Sequence, residues 1–303
     1  MKTGAASLQD RLGRIVVLAV PYLWMAVFFL LPFLILLRIS FSETRIGIPP
    51  YTEVFNWLGG LAFEFQGTLS NYAFLFTDSL YLAAYGNSVK VAAISTLLCL
   101  LIGYPMALGI SRVKGSLRTV LLMMVIVPLW TSFLIRVYAW IGLLKPEGLI
   151  NAMLIWIGLI DQPLALLHSS FAVYLGITYS YLPFMVLPLY ATLEKQDHSI
   201  LEAAADLGAR PVVTFFTVTL PLSLPGIIAG SMLVFIPAIG EFVIPDLLGG
   251  SSTLMIGKVL WNEFFQNRDW PLAAAVAILM LVMLIVPLVL WQRHQQIFED
   301  KEQ

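Results

Sequence analysis

Six stretches of this chain contain no Asp, Glu, Lys or Arg: residues 15–37, 91–111, 119–135, 169–193, 211–240 and 270–292. A helix that crosses the hydrocarbon core of a bilayer needs about 20 predominantly apolar residues. Five stretches reach that length, and the third reaches it by continuing past Arg136 to about Trp140. The fifth is too long for one helix and is broken by Pro221, Pro225 and Pro237, which places its span at about 223–244 and leaves 198–221 outside the lipid. The expected fold is therefore an all-α integral membrane chain with six transmembrane helices, at about 15–37, 89–111, 119–141, 170–192, 223–244 and 270–291.

Composition excludes several other classes. Of the 303 residues, 59% are hydrophobic and 12% charged, against about 25% charged in soluble domains. A formal net charge of -1 leaves no basic excess to hold a nucleic-acid backbone. Cys99 is the single cysteine, so an intrachain disulfide and a cysteine-cluster metal site are both excluded, and it reads as a small buried apolar residue. His168, His198 and His294 are far apart in sequence and form no metal-binding pattern.

Orientation follows from Lys and Arg near the span ends. With the N-terminus inside, Lys2, Arg11, Arg14, Arg112, Lys114, Arg118, Lys195, Arg210, Arg293 and Lys301 fall on the inner side. Arg38, Arg45, Lys90, Arg136, Lys145, Lys258 and Arg268 fall in longer outer segments or near outer span ends. Residues 1–14 and 293–303 are then cytoplasmic termini flanking a six-span domain over 15–292. A secretory signal has an apolar core of only about 7–15 residues and a small-residue cleavage site. The first stretch instead ends at Arg38-Ile39-Ser40-Phe41 and is expected to remain as the first span.

The longest outer segment, about 42–88, carries Tyr51, Trp57, Phe63, Glu64 and Phe65 and is expected to form a lid or docking surface. The apolar run 148–158 is too short to cross and reads as a helix lying at the outer interface, anchored by Trp156.

The segment from Ser199 to Pro211 reads as a complete short cytoplasmic helix. Ser199 and Glu202 have capping-box spacing, Gly208 suits the left-handed stop, and Pro211 can open the next helix. Ala203, Ala204 and Ala205 keep one face free of bulk, so that another backbone can approach, and Leu201 and Leu207 are candidate apolar anchors. On spacing alone, an ordinary capped connector fits as well as a docking helix.

The order Glu202-Ala203-Ala204, Gly208, Val218 and Leu220-Pro221 resembles the EAA loop of ABC-importer permeases, with Val218 where that pattern usually has Ile. Residues 91–96, 102–105, 130–140, 239–250 and 267–271 extend the likeness, closest to the polyamine (putrescine and spermidine) permeases. The resemblance implies a type I ABC-importer permease fold in the bacterial inner membrane. It also implies an ATPase-coupling helix that includes Ser199, Leu201, Glu202, Ala203, Ala204, Asp206, Leu207 and Gly208. Its implied partners are a second, non-identical permease, two copies of a cytoplasmic ATPase and a periplasmic polyamine-binding protein. No cofactor is expected on this chain, since ATP and Mg would belong to the ATPase. Consistent with that division, G-x-x-x-x-G-K-[ST] does not occur, and Gly257-Lys258 lacks its other residues.

Charge inside a span is costly, about 2.5–3.5 kcal/mol at the bilayer centre on insertion scales, so Arg136 and Glu241 stand out. They either pair with each other, or Glu241 and Asp246 offer carboxylate to a cationic substrate. A polyamine is a chain of ammonium groups and methylenes, complemented by carboxylates and aromatic faces. Trp130, Tyr138, Trp140, Tyr179, Tyr181, Phe235 and Phe242 are candidate aromatics, each of which also fits ordinary packing or an interface belt. Pro105, Pro128, Pro183, Pro188, Pro237 and Gly240 permit kinks, and 236–245 is the expected interrupted helix and gate.

Three competing functions remain distinguishable. An ABC permease for another small solute would share all these features. An ion-driven transporter would need an internal repeat or a relay of buried acids, and a membrane enzyme would need clustered catalytic groups; the sequence shows neither.

Overall fold

The computed structural model describes residues 8–57, 63–250 and 253–302. Lys2, counted above in setting the orientation, lies outside the described residues, as do the rest of residues 1–7 and residue 303 of the expected termini.

The chain opens with α1 (Leu8–Met25), a π-helical turn (Ala26–Leu30) and α2 (Leu31–Ser40). Pro32, at the start of α2, would clash with the carbonyl four residues earlier in a regular helix, and the wider π turn just before it relieves that crowding. A small antiparallel hairpin follows, β1 (Phe55–Trp57) against β2 (Phe63–Phe65), and then α3 (Ser70–Thr77). The helix α4 (Ser79–Arg112) is followed by α5 (Ser116–Trp130), α6 (Phe133–Leu144), α7 (Leu149–Trp156) and α8 (Ser170–Glu194). Next come α9 (His198–Asp206), α10 (Pro211–Thr214), a second π turn (Phe215–Thr219), α11 (Leu220–Leu222) and α12 (Leu224–Ile239). The chain closes with α13 (Val243–Leu247), α14 (Ile256–Trp261), a third π turn (Asn262–Gln266) and α15 (Trp270–Glu302).

Among the described residues, three helical stretches are long and apolar enough to cross a membrane: Val17–Ser40, Ser79–Arg112 and Ser170–Glu194. Two others pass only as bent pairs. The stretch expected as one span at 119–141 is instead α5 followed by a 93° bend before α6. Thr131 and Ser132 take extended backbone at the bend, and the Thr131 hydroxyl donates to the Pro128 carbonyl at 2.8 Å. Pro128 has no N–H to give the ladder, which weakens the last turn of α5. The second pair joins Pro211–Leu222 to α12 through a 63° bend, so the expected span at 223–244 ends at Ile239 and passes only together with the residues before it.

One further expectation shifts. The segment 42–88 is not a loop throughout, because α4 begins at Ser79 and runs 34 residues, about 50 Å at 1.5 Å per residue. Residues 293–302, within the expected cytoplasmic C-terminus, are helical and continue α15.

The chain divides into two compact units, residues 1–78 with 260–303, and residues 79–259. In the first, α15 packs on α2 and α3. Asn71 donates to the carbonyls of Ser40 (3.0 Å) and Ser42 (2.8 Å), closing the end of α2, and the Ser40 hydroxyl meets the Tyr72 hydroxyl at 2.7 Å. Burial pushes the Tyr72 phenol up from its ordinary value, partly opposed by that hydrogen bond. Asp269 accepts from Thr44 (2.6 Å) and from the Leu272 N–H (3.0 Å) at the start of α15. The first apolar stretch is uncovered: Trp24, Phe28 and Phe29 are exposed, as expected of a helix meant for lipid or another subunit.

The core of the second unit is α4, α8 and α12, packed on one another around Cys99, Met185, Val186, Leu189 and Val234. Small residues let these helices approach closely. A β-carbon at Gly230 would sit 2.8 Å from the Met185 sulfur. The short apolar run at 148–158 folds as α7, where Trp156 is 86% exposed and the buried Asn151 side chain bridges Lys145 and Leu164 through their backbones.

Candidate functional site

The segment expected to be cytoplasmic folds as a capped helix, with one correction to its start. The N-cap is Asp197, whose carboxylate accepts from the Ser199 N–H at 2.9 Å, and Ser199 lies inside the first turn. The capping box expected between Ser199 and Glu202 is replaced because an ionised carboxylate is the stronger acceptor at a positive helix end. The other end forms as expected. Gly208 has φ +79, its N–H reaches the Ala205 carbonyl at 2.8 Å, and the Ala209 N–H reaches the Ala204 carbonyl at 3.0 Å. These are the two bonds of a Schellman stop. Pro211 then opens α10 as its first residue.

The faces of α9 are unequal. Glu202, Ala203, Asp206 and Leu207 are exposed, Leu207 by 88%, and so remain available to a partner. Leu201 and Ala204 are half-buried, and Leu201 lines a cavity of about 230 Å³ with Arg112, Pro211 and Phe215 of its own chain. Of the two expected anchors, Leu207 points outward and Leu201 packs inward.

The base of this helix is clamped. Arg118 ion-pairs with Glu194 at 2.5 Å and donates to the carbonyls of Val113 (2.8 Å) and Ser111 (3.4 Å). It thereby ties the α4–α5 turn to the end of α8 just before α9. Sequence reasoning missed both Arg118 and Asp197 as structural parts of this site. Arg118→Ala should lower the melting temperature of the purified complex by a few degrees, corresponding to about 1–2 kcal/mol from lost charged hydrogen bonds. The exposed ionic share contributes little of that. An unchanged melting curve would remove Arg118 as a clamp.

The second site is the break after α12. The helix stops at Ile239, Gly240 caps it, and α13 restarts at Val243, so the interruption expected within 236–245 is present. Glu241 is 8% exposed. One carboxylate oxygen accepts from the backbone N–H groups of Val243 (3.0 Å) and Ile244 (3.4 Å). The other accepts from the Tyr181 hydroxyl at 2.7 Å. All three donors are neutral, and no cationic side chain pairs with this carboxylate among the described residues.

The proposed pairing of Arg136 with Glu241 does not occur among the described residues. Arg136 lies 5.7 Å over the Phe133 ring, and its Nε and one terminal nitrogen are buried without hydrogen-bond partners. Asp246 pairs with Lys258 at 3.0 Å, a contact not foreseen in the sequence. Trp140 meets Tyr179 edge-on at 5.4 Å. Trp130 and Tyr138 are exposed, whereas Phe235 and Phe242 are half-buried; of the expected aromatics, Tyr181 alone bonds to Glu241 among the described residues.

The start of α14 abuts this break. A β-carbon at Gly257 would lie 2.8 Å from the Gly240 carbonyl carbon and 2.9 Å from the Glu241 carbonyl oxygen. Gly257→Val is therefore expected to destabilise the fold by about 1–3 kcal/mol, read as a lower melting temperature. A wild-type melting temperature would show that this close packing is dispensable.

Residues 99–296 match the profile of the family described as "Binding-protein-dependent transport system inner membrane component". The chain belongs to that family. Both sites of this inner membrane component fall within the matched residues. Over 286 residues it is 40% identical to the spermidine/putrescine transport system permease protein PotB of Haemophilus influenzae, covering 94% of this chain and 95% of the relative. Over 278 residues it is 42% identical to PotB of Escherichia coli K12, covering 92% and 96%. Among solved structures, it resembles a bacterial alginate ABC transporter in complex with an alginate pentasaccharide-bound periplasmic protein, with TM-score 0.70 and 19% identity over 95% of this chain and 96% of that one. At that identity the likeness shows the fold, which is that of an ABC-transporter permease.

Proposed function

We propose that this chain is a transmembrane subunit of an ATP-driven importer for spermidine, putrescine or both. The observation that carries the reading is identity of 40–42% to two PotB permeases over more than nine-tenths of both chains. The uncompensated carboxylate of Glu241 supports it, since an ammonium group is what such a site lacks.

In this reading the chain crosses the membrane six times, through α1–α2, α4, the bent pair α5–α6, α8, α11–α12 and α15, with both termini cytoplasmic. A second, non-identical permease completes the path, and a periplasmic binding protein delivers the amine. Two ATPase subunits, which hold ATP and Mg, engage α9 through Glu202, Ala203, Asp206 and Leu207. The binding and closure of the ATPases bias the permeases between outward- and inward-open states, and this chain performs no covalent chemistry. Glu241, Asp246, Tyr181 and the neighbouring aromatics form part of the cation path, and the break at 240–242 is its gate.

Co-purification with the ATPase, followed by assay of its hydrolysis, tests the assignment. Spermidine or putrescine presented on the binding protein should stimulate hydrolysis. Stimulation by an unrelated solute, with no response to amines, would overturn the substrate.

A further inference from the structure

The ion pair between Lys258 and Asp246 sits on the structure that carries Glu241, and nothing in the proposed transport cycle uses it. Lys258 Nζ lies 3.0 Å from an Asp246 oxygen, with the two side chains 29% and 54% exposed. We infer that Lys258 is a tethered stand-in for the substrate: its ammonium occupies Asp246 while the path is empty, yields to an incoming amine, and returns as the amine leaves. This inference rests on the cation-path reading above.

The chemistry is specific to the cargo. Beyond its α-carbon, a lysine side chain is four methylenes ending in a primary ammonium, the same aminobutyl group that ends putrescine and one arm of spermidine. A carboxylate placed to receive one can receive the other. Exposed ion pairs of this kind are weak, so a free amine can compete with the tethered one.

The geometry confines the motion to the side chain. The Ile256 N–H donates to the buried Ser88 hydroxyl at 2.8 Å, the Lys258 N–H donates to the Met255 carbonyl at 3.1 Å, and Gly257 is packed against the break. On the other side, Asp246 belongs to α13, whose first-turn N–H groups are held by Glu241. The backbones that carry the pair are therefore fixed, and only a flexible stem has to swing. With Lys258 displaced, Asp246 becomes a second carboxylate without a cation, five residues along the chain from Glu241, for a cargo that carries two or three ammonium groups. With Lys258 back in place, one of them is neutralised, which loosens the path's hold on the cargo and aids release.

The test uses the complete complex of both permeases and the ATPase in lipid nanodiscs, trapped with ATP and vanadate and lacking the binding protein, so that bound amine resides on the permeases. Titration with radiolabelled spermidine and putrescine should show K258Q binding both amines about five-fold more tightly than wild type. K258R should match wild type, D246N should bind more weakly, and the double variant should behave like D246N. Uptake at saturating, loaded binding protein should slow in K258Q but not in K258R. Unchanged or weaker amine binding by K258Q, alongside normal binding by wild type, would reduce the pair to a structural salt bridge and overturn the inference. If wild type itself bound neither amine, the cation-path reading would fail first and this inference with it.

Discussion

Replacing Gly208 with valine is expected to abolish most transport while leaving the membrane core intact. Gly208 holds φ +79, and the stop it makes returns the Gly208 and Ala209 N–H groups to the Ala205 and Ala204 carbonyls. A β-branched residue in that region costs about 1–3 kcal/mol. The strain can be relieved by unwinding the last turn, which carries Asp206 and Leu207, two of the exposed groups assigned to the ATPase. A loss of that size in docking free energy is a fall of about 5- to 150-fold in affinity. Gly208→Ala should be intermediate, and Gly208→Asn, which tolerates the left-handed region, should stay nearest to wild type. Glu202→Ala, which leaves the cap at Asp197 untouched, should weaken docking without unfolding the helix. Co-purification with the ATPase and uptake, measured on the same preparations, check the series. Wild-type values for Gly208→Val would mean that α9 does not couple the two proteins.

Glu241→Gln is expected to leave the protein folded and strip most of the amine response from ATP hydrolysis. Its amide oxygen can still accept from the Val243 and Ile244 N–H groups, and its amide nitrogen can donate to the Tyr181 oxygen, which reverses that bond. The charge alone is lost. Glu241→Leu instead leaves three donors without an acceptor, that of Ile244 buried and those of Tyr181 and Val243 partly buried, with a cost of about 1–3 kcal/mol for the fully buried group. The leucine variant should therefore assemble poorly as well as fail to respond. If Glu241→Gln responded to spermidine as wild type does, Glu241 would be a structural acceptor for the break and would leave the path.

Much of this architecture was legible in where charge is missing. Four of the six uncharged windows coincide with α1–α2, α4, α8 and α15, and the other two with α5–α6 and α10–α12, because burial in lipid excludes charge from any helix that crosses. The same signal is blind to direction: it passes through Thr131 and Ser132 without a mark, although the chain turns 93° there. Pro128 gave a hint of that turn, but proline also sits inside α4 and α8 without ending them. Around α9, the left-handed stop was readable because glycine is the residue that occupies it cheaply, and Pro211 marked the next start. The cap was misplaced by two residues, since Asp197 and Ser199 are both good N-caps and sequence spacing favoured the one with a glutamate three residues on. At the break, Glu241 was visible as a charge out of place. Its partners were not, because Tyr181 is 60 residues away and the other donors are backbone. The pairing of Lys258 was hidden for a related reason: an isolated lysine in an outer segment looks like any solvated charge until the fold brings it to Asp246.

The most direct measurement is uptake of radiolabelled spermidine into proteoliposomes containing this chain, its second permease and the ATPase, supplied with binding protein outside. Uptake should require ATP in the lumen, stop with vanadate and persist when ion gradients are collapsed. Uptake that continued without the ATPase, driven by an imposed ion gradient, would contradict the account.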